Sequence, residues 1–335
     1  MNHQPTPKLS YLDLAPIAEG RSIADGVKQT VAIAKTAEKA GLHRYWLAEH
    51  HNMPAVASAA TAVLLSHIGA QTSRIRIGSG GVMLPNHSPL VIAEQFGTLQ
   101  ALYGDRIDLG LGRAPGSDGA TFRALRRTMH SADGFPQDVQ ELMGYLYASD
   151  ASNDVTAYPG MGSRVPVWIL GSSLFGANLA AKLGLPYAFA SHFAPRMMGD
   201  AIAHYRQNFQ PSTHCQQPYV MLAANLLLAN DADEAHYHFT SAQQSALQLV
   251  RGNLGKVPRP VANMDTLWHP QEQAFVEQSQ AVSFVGGVDD VRPKLRQFID
   301  TYRPDELIVA ANIWEQDMRL ASIELTGTLE LFALS

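Results

Sequence analysis

Residues 75–111 read IRIGSGGVMLPNHSPLVIAEQFGTLQALYGDRIDLGL, and this stretch decides the fold. The apolar runs at 75–84 and 107–111 are typical of buried strands, and residues 90–103 between them have the apolar spacing of a helix. Parallel strands need a long crossover connection, which a helix supplies. The stretch therefore predicts one strand–helix–strand unit of a parallel sheet.

The same unit repeats in both directions along the chain, which gives eight predicted strand–helix pairs. We expect strands at 9–15, 44–48, 75–84, 107–111, 165–170, 187–190, 219–229 and 306–311. We expect helices at 23–40, 57–72, 90–103, 136–148, 175–183, 195–209, 231–250 and 315–332. Eight units favour an α/β fold of the (β/α)8 TIM-barrel type, with residues 1–335 forming a single domain. An open doubly wound sheet is the alternative.

Two connections are longer than the others, at residues 112–134 and 252–287. Long connections in a compact domain are usually functional or ordered insertions. The second contains several apolar residues and precedes an extra helix at 289–302. We interpret residues 252–287 as an insertion that caps one mouth of the barrel before strand eight.

Composition excludes several classes of protein. The net charge is −5 with no basic block, so no nucleic-acid partner is expected. Cys215 is the single cysteine, which excludes an internal disulfide and a thiolate metal cluster. Residues 1–8 have no apolar leader pattern, and no apolar run reaches membrane-spanning length. These features predict a soluble cytoplasmic protein with no membrane partner.

Barrel active sites lie at the carboxyl ends of the strands, and Glu49-His50-His51 follows the second predicted strand. A carboxylate and imidazoles there suit proton transfer, although a hydrogen-bonded cluster without a catalytic role would have the same sequence. No metal ion is expected, because neighbouring residues of a strand face opposite ways and a His-His pair rarely chelates.

Glycines 78, 80 and 81 fall in the third strand, where they indicate either a closely approaching ligand or tight packing within the barrel. After the fourth strand, Gly110-Leu111-Gly112-Arg113 resembles a dinucleotide fingerprint but has Pro115 where the third glycine belongs. Arg113 could contact an anionic group or form a salt bridge at the barrel rim. Both pairs of alternatives stay open.

Gly171-Ser172-Ser173 follows the fifth strand and precedes a helix. Free N–H groups, the helix dipole and two hydroxyls could together bind a phosphate. A serine that only caps the helix would give the same sequence.

Four motifs in this order resemble the bacterial-luciferase-like family of flavin-dependent monooxygenases. They are YWLAEHH at 45–51, GSGGVMLPNHSP at 78–89, AEQ at 93–95 and GDRIDLGLGR at 104–113. The resemblance extends over essentially the whole chain. It implies a luciferase-like barrel that binds FMN at the carboxyl ends of the strands, in a homodimer.

Carried over by position, the resemblance implies that His50 is catalytic, beside Glu49. It implies a cis peptide between Gly80 and Gly81 against the flavin. The implied cofactor-binding residues are Ala48, Gly80, Gly81, Arg113, Gly171, Ser172 and Ser173. Gly112 stands where the luciferases proper carry a reactive cysteine, so light emission is not expected.

The expected activity is oxidation of a small organic substrate with O2 and reduced FMN as co-substrate. Loops at 52–56, 115–127, 192–196 and 252–287 are expected to line the substrate pocket. No complete dinucleotide motif occurs, so we expect a separate flavin reductase. The alternatives are an F420-dependent oxidoreductase of the same fold, a flavin-binding protein without turnover, and a metal-dependent barrel hydrolase that lacks a convincing ligand set.

Overall fold

The computed structural model describes residues 6–113, 119–151 and 154–334. Nine strands run through them: β1 Lys8–Asp13, β2 Arg44–Leu47, β3 Arg76–Met83, β4 Ile107–Gly112, β5 Val167–Gly171, β6 Tyr187–Phe189, β7 Val220–Ala229, β8 Ser283–Gly287 and β9 Glu306–Ala310. The helices are α1 Ile23–Lys39, α2 Thr61–Gly69, α3 Pro89–Tyr103, α4 Gly119–Ala124, α5 Phe135–Tyr147, α6 Leu174–Leu183, α7 Met198–Asn208, α8 Ala232–Val250, α9 Pro270–Ser279, α10 Val288–Tyr302 and α11 Gln316–Leu325.

Eight of these strands close into a parallel barrel. Strands β1 to β6 pair in chain order, β6 pairs with β7, β7 with β9, and β9 with β1. Helices lie between the strands along the chain. The predicted TIM barrel is confirmed, and the open-sheet alternative is wrong because the β6–β7 pairing closes the ring.

The segment at 252–287 differs from the expected connection, because it contains α9 and β8. Strand β8 pairs with Asn225–Ala229 of β7, beyond the residues 221–225 that pair with β9. The beginning of the segment lies beside the loop after β1, where Val257 forms a backbone bridge with Ala18. That it caps the barrel mouth, and that residues 1–335 form one domain, stay predictions.

Helix α2 is shorter than the predicted helix at 57–72. Residues before it bind the ends of the first two strands instead: the Ala57 amide donates to the Ala15 carbonyl at 2.9 Å, and Ser58 Oγ donates to the Ala48 carbonyl at 2.6 Å. Near the carboxyl terminus, α11 ends at Leu325, and a 3-10 turn follows it.

A buried ionic cluster fills the amino-terminal end of the barrel. The Arg44 guanidinium donates to Asp108 Oδ2 and to Glu306 Oε1, both at 2.7 Å. Arg76 donates to the other oxygen of Asp108 at 2.6 Å, and the Tyr219 hydroxyl donates to Glu306 Oε2 at 2.9 Å. Burial raises the pKa of Asp108, but the two arginines outweigh it and hold that pKa below its ordinary value.

Aromatic rings separate this cluster from the rest of the barrel interior. The Arg44 guanidinium lies 4.7 Å from the Trp168 ring, and Trp168 meets Trp46 edge to face at 5.2 Å. Leu12, Ala188 and Ile308 pack against these rings. These side chains therefore fill the amino-terminal half of the barrel and lie between the ionic cluster and the carboxyl end.

Replacing Arg44 with methionine should destabilise the chain strongly, because it leaves Asp108 and Glu306 buried with too few partners. Breaking a buried ion pair costs about 3–5 kcal/mol. The control is Lys39→Met, whose exposed ion pair with Glu324 at 3.7 Å should contribute little. Urea unfolding measures both, and equal midpoints for the two variants would contradict the role given to Arg44.

Candidate active site

A cavity of about 230 Å³ opens at the carboxyl ends of the strands. Its inner wall contains Leu12, Trp46 and Ile308, above the ionic cluster. All the site residues predicted from the sequence, except Glu49, line this cavity: Ala48, His50, Gly80, Gly81, Arg113, Gly171, Ser172 and Ser173. Four separate segments of the chain, at the ends of β2, β3, β4 and β5, therefore converge on the expected place.

The alternation of a strand explains why Glu49 is the exception. Trp46, Ala48 and His50 line the cavity, whereas Glu49 turns away from it. Glu49 Oε1 lies 2.9 Å from His51 Nε2 and 2.8 Å from His87 Nε2, and Oε2 accepts from the Met83 amide at 3.3 Å. The predicted catalytic role of Glu49 stays a prediction.

Electrostatics keeps the Glu49 carboxylate ionised. Burial raises its pKa, but hydrogen bonds from His51 and His87 outweigh that effect and lower the pKa below its ordinary value. An ionised carboxylate only accepts hydrogen bonds, so both imidazoles donate their Nε2 protons to it. Glu49 thus fixes the loops that follow β2 and β3.

Glu49, His51 and His87 are also side chains of the types that bind metals, with ligand atoms within 4.8 Å of one another. The His50–His51 pair weighed from the sequence is a different set of side chains, and the sequence did not indicate this group. His87 comes from the loop after the next strand, 36 positions from His51. No spacing within one segment could have revealed it.

His50 faces the cavity as a neutral imidazole. Its Nδ1 is buried without a hydrogen-bond partner. Burial lowers the pKa of His50, and the nearby Glu49 charge opposes this only in part. A neutral imidazole can accept a proton from a reacting group and later return it, which is the property required of a general acid–base residue.

A second imidazole, His192, lines the same cavity. Its Nδ1 is likewise buried without a partner. Burial, with a smaller contribution from the charge of His50, lowers the pKa of His192 to about 4. The sequence placed residues 192–196 in the substrate pocket but gave His192 no role, because an isolated histidine in a loop carries no motif.

The Gly80–Gly81 peptide is cis, as the resemblance implied. The structure also explains why glycine stands at these positions. A Cβ on Gly81 would lie 2.6 Å from the Gly110 carbonyl oxygen, and one on Gly80 would lie 2.8 Å from Leu12 Cδ1. Gly80 and Gly81 are therefore tightly packed against neighbouring strands, and they also line the open wall of the cavity.

At the rim, Arg113 is exposed, and its guanidinium lies 4.0 Å from the Phe175 ring. Within the described residues it forms no ion pair, so the rim salt bridge considered from the sequence is not seen there. Residues 114–118, which include Pro115 and begin the predicted pocket loop 115–127, lie outside the described residues. Arg113 is available to an anion.

Helix α6 begins beside Arg113, and Phe175 lies in its first turn. Ser173 occupies the N-cap position, but its side chain makes no capping hydrogen bond. The capping alternative is therefore right about the position of this serine, but the side-chain hydrogen bond of a cap is not seen among the described residues. Hydroxyls of Ser172 and Ser173, the helix N-terminus and the Arg113 cation all border one cavity, and together they can bind an anionic group such as a phosphate.

Within the described residues, no helix is both long and apolar enough to cross a lipid bilayer.

Known proteins resemble this chain in sequence over most of its length. The family model described as luciferase-like monooxygenase matches residues 8–302. A luciferase-like monooxygenase of Escherichia coli K12 is 51% identical over 321 residues, which cover 96% of each chain. An N-acetyl-S-alkylcysteine monooxygenase of Bacillus subtilis is 31% identical, over 97% of this chain and 99% of its own.

Among solved structures, apo-MsnO8 has a TM-score of 0.90 and 34% identity, over 98% of this chain and 100% of its own. Two others share the fold alone. One is the oxygenating constituent of 3,6-diketocamphane monooxygenase of Pseudomonas putida, a type II Baeyer–Villiger enzyme in complex with FMN, with a TM-score of 0.73, 15% identity, and coverage of 98% of this chain and 99% of its own. The other, an F420-dependent secondary alcohol dehydrogenase, has a TM-score of 0.69, 15% identity, and coverage of 96% and 98%.

Proposed function

The chain belongs to the luciferase-like monooxygenase family, and on that basis we propose that it oxidises a small organic molecule with O2 and reduced FMN. Family membership makes it an oxidoreductase that incorporates oxygen. The observation that carries the choice of FMN is Arg113, which has no ion-pair partner among the described residues, beside the start of α6, in the cavity that also contains His50.

The cavity residues fit FMN at both of its ends. Arg113, Ser172 and Ser173 would hold the phosphate, with the first N–H groups of α6. Ala48, Gly80 and Gly81 leave a wall with almost no side chain, against which a flat ring can lie. When bound in its reduced form, the flavin supplies the electrons that activate O2.

The protein itself would position the reactants, exclude water from the cavity and transfer protons. Trp46, Leu12 and Leu170 line the interior of the cavity and exclude water from it. His50, which faces the cavity as a neutral imidazole, would accept and return a proton at its unprotonated ring nitrogen as oxygen is transferred.

The alternatives differ in what the rim must bind. F420 has an acidic tail, and Arg113 is the only cation among the described residues that line the cavity. A flavin-binding protein without turnover would have no use for the neutral His50 beside the cofactor. Titration of the chain with FMN, FAD and F420 separates the F420-dependent alternative from the proposal, and an oxidation assay separates the protein without turnover.

A homodimer is part of the proposal. Val63 of α2 and Val91 and Leu102 of α3 are exposed to 70%, 44% and 58%, and the two helices pack side by side. Burying such residues against a second copy stabilises an assembly.

Arg113→Ala should weaken FMN binding about ten- to a hundredfold, the usual worth of a charge-assisted hydrogen bond. Riboflavin, which lacks the phosphate, should bind equally well to both forms. Arg74→Ala removes an exposed arginine next to β3, at the amino end of the barrel, and should leave both affinities unchanged. Fluorescence titration measures them, and an unaltered FMN affinity in Arg113→Ala would remove this residue from the site.

The FMN-loaded protein should depend on a separate reductase. The single phosphate-binding place that we assign would be filled by FMN, and the sequence has no complete G-x-G-x-x-G motif. Anaerobic stopped-flow mixing with NADH or NADPH should leave the oxidised flavin absorbance unchanged until a flavin reductase is added. Rapid bleaching without the reductase would instead show a self-sufficient oxidoreductase.

His50→Ala should cut substrate oxidation about 10²- to 10⁴-fold and change FMN affinity by only about a few-fold, as removal of an acid–base group does. The assay follows incorporation of ¹⁸O2 into an N-acetyl-S-alkylcysteine and into cyclic ketones. The control, His236→Ala, alters an exposed histidine on α8. A parallel fall in FMN binding and turnover would make His50 a ligand contact and not a proton carrier.

A further inference from the structure

We propose that His192 is a substrate-binding residue which, together with His50, holds an uncharged oxygen of the substrate, such as a carbonyl. This inference rests on the proposed function, because it assumes that FMN occupies the part of the cavity bordered by Arg113. It goes further in assigning the chemical class of the group that the remaining space recognises.

The loop that carries His192 is held rigidly in place. Ser191 is fully buried, and its hydroxyl donates to the Ala223 carbonyl at 2.6 Å. Asn225 Nδ2 donates to the His192 carbonyl at 2.8 Å and lies 3.0 Å from Ser283 Oγ. The Phe193 ring meets the imidazole edge to face at 4.8 Å. Strand β7 thus fixes the backbone on both sides of the imidazole, which is the arrangement of a preorganised binding group.

The imidazole itself lacks a partner. Nδ1 of His192 and Nδ1 of His50 are both buried without a hydrogen-bond partner among the described residues, and both rings line one cavity. A buried polar atom without a partner is costly, and native structures seldom contain one without a reason. Two such atoms in one cavity indicate a ligand that supplies the missing hydrogen bonds.

The charge state of the pair defines what it can bind. Burial lowers the pKa of both rings, so that each is neutral near pH 7. A neutral imidazole can donate one N–H hydrogen bond to an oxygen. Because the ring carries no charge, it does not neutralise a charge on the ligand. Ala188, Ala190 and Phe193, which line the same part of the cavity, add no charge either. An uncharged oxygen on an otherwise apolar molecule matches this surface, and an ammonium group does not.

The test compares two ligands of the same shape, cyclohexanone and methylenecyclohexane, binding to the FMN-loaded chain and to the FMN-free chain. NMR titration of protein labelled with ¹⁵N in its histidine rings reports both affinity and contact. Cyclohexanone should bind about three- to tenfold more tightly, the usual worth of a neutral hydrogen bond, and should shift the His192 ring nitrogens. Cyclohexylammonium should bind more weakly than either.

His192→Phe should abolish the preference for the ketone while the affinity for the hydrocarbon and for FMN stays within about twofold. His192→Gln, which keeps a donor, should retain part of the preference, and it replaces the phenylalanine variant if that variant melts early. His236→Phe is the matched control at an exposed histidine.

The inference is overturned if wild-type protein binds the two ligands equally, if the preference survives in His192→Phe, or if that variant loses FMN affinity about tenfold. The last result would make His192 a cofactor contact. Failure of the wild-type chain to bind FMN would refute the proposed function instead, and the ligand comparison in the FMN-free chain would still decide the role of His192.

Discussion

The barrel depends on one cation inside it. Arg44 opens β2 and binds carboxylates on β4 and β9, which lie two positions away around the ring in opposite directions. A barrel end filled by branched apolar side chains alone would tolerate small changes in strand register. Directional ion pairs do not, because a hydrogen bond weakens steeply away from its preferred length and angle. With this end fixed and filled, the cavity lies at the opposite end.

The register of β2 then determines which of its side chains face the cavity. With Arg44 inside, strand alternation places Trp46, Ala48 and His50 inside as well. The same alternation turns Tyr45 outward, where its hydroxyl donates to Asp13 at 2.7 Å in the layer between barrel and helices. Arg319 of α11 binds the other oxygen of Asp13 at 2.8 Å. The orientation of β2, with Arg44 facing inward, therefore determines the inner wall of the cavity, the position of His50 and the attachment of α11.

The sequence was sufficient for whatever depends on local periodicity or on an ordered set of motifs. It predicted the barrel, the cis peptide, and a site that joins His50, Gly80, Gly81, Arg113 and Ser172. It failed where contacts join distant segments. Strand β8 is only five residues long and ends in two glycines, and it is stabilised by the outer half of β7, which no local pattern reveals. Glu49 and His87 meet, and His192 enters the cavity, through tertiary packing of separate loops.

The mouth of the cavity carries two aromatic rings that remain partly in water, Phe175 and Phe193, exposed to 37% and 58%. Covering about 50 Å² of such surface is worth about 1 kcal/mol. Contact with these rings therefore stabilises an apolar solute at the entrance, beside the polar groups of the rim. The interior of the cavity is then an apolar space in which His50 and His192 offer hydrogen bonds. Within a homologous series of compounds, affinity should follow the oil–water partition coefficient until the chain length exceeds the depth of the cavity.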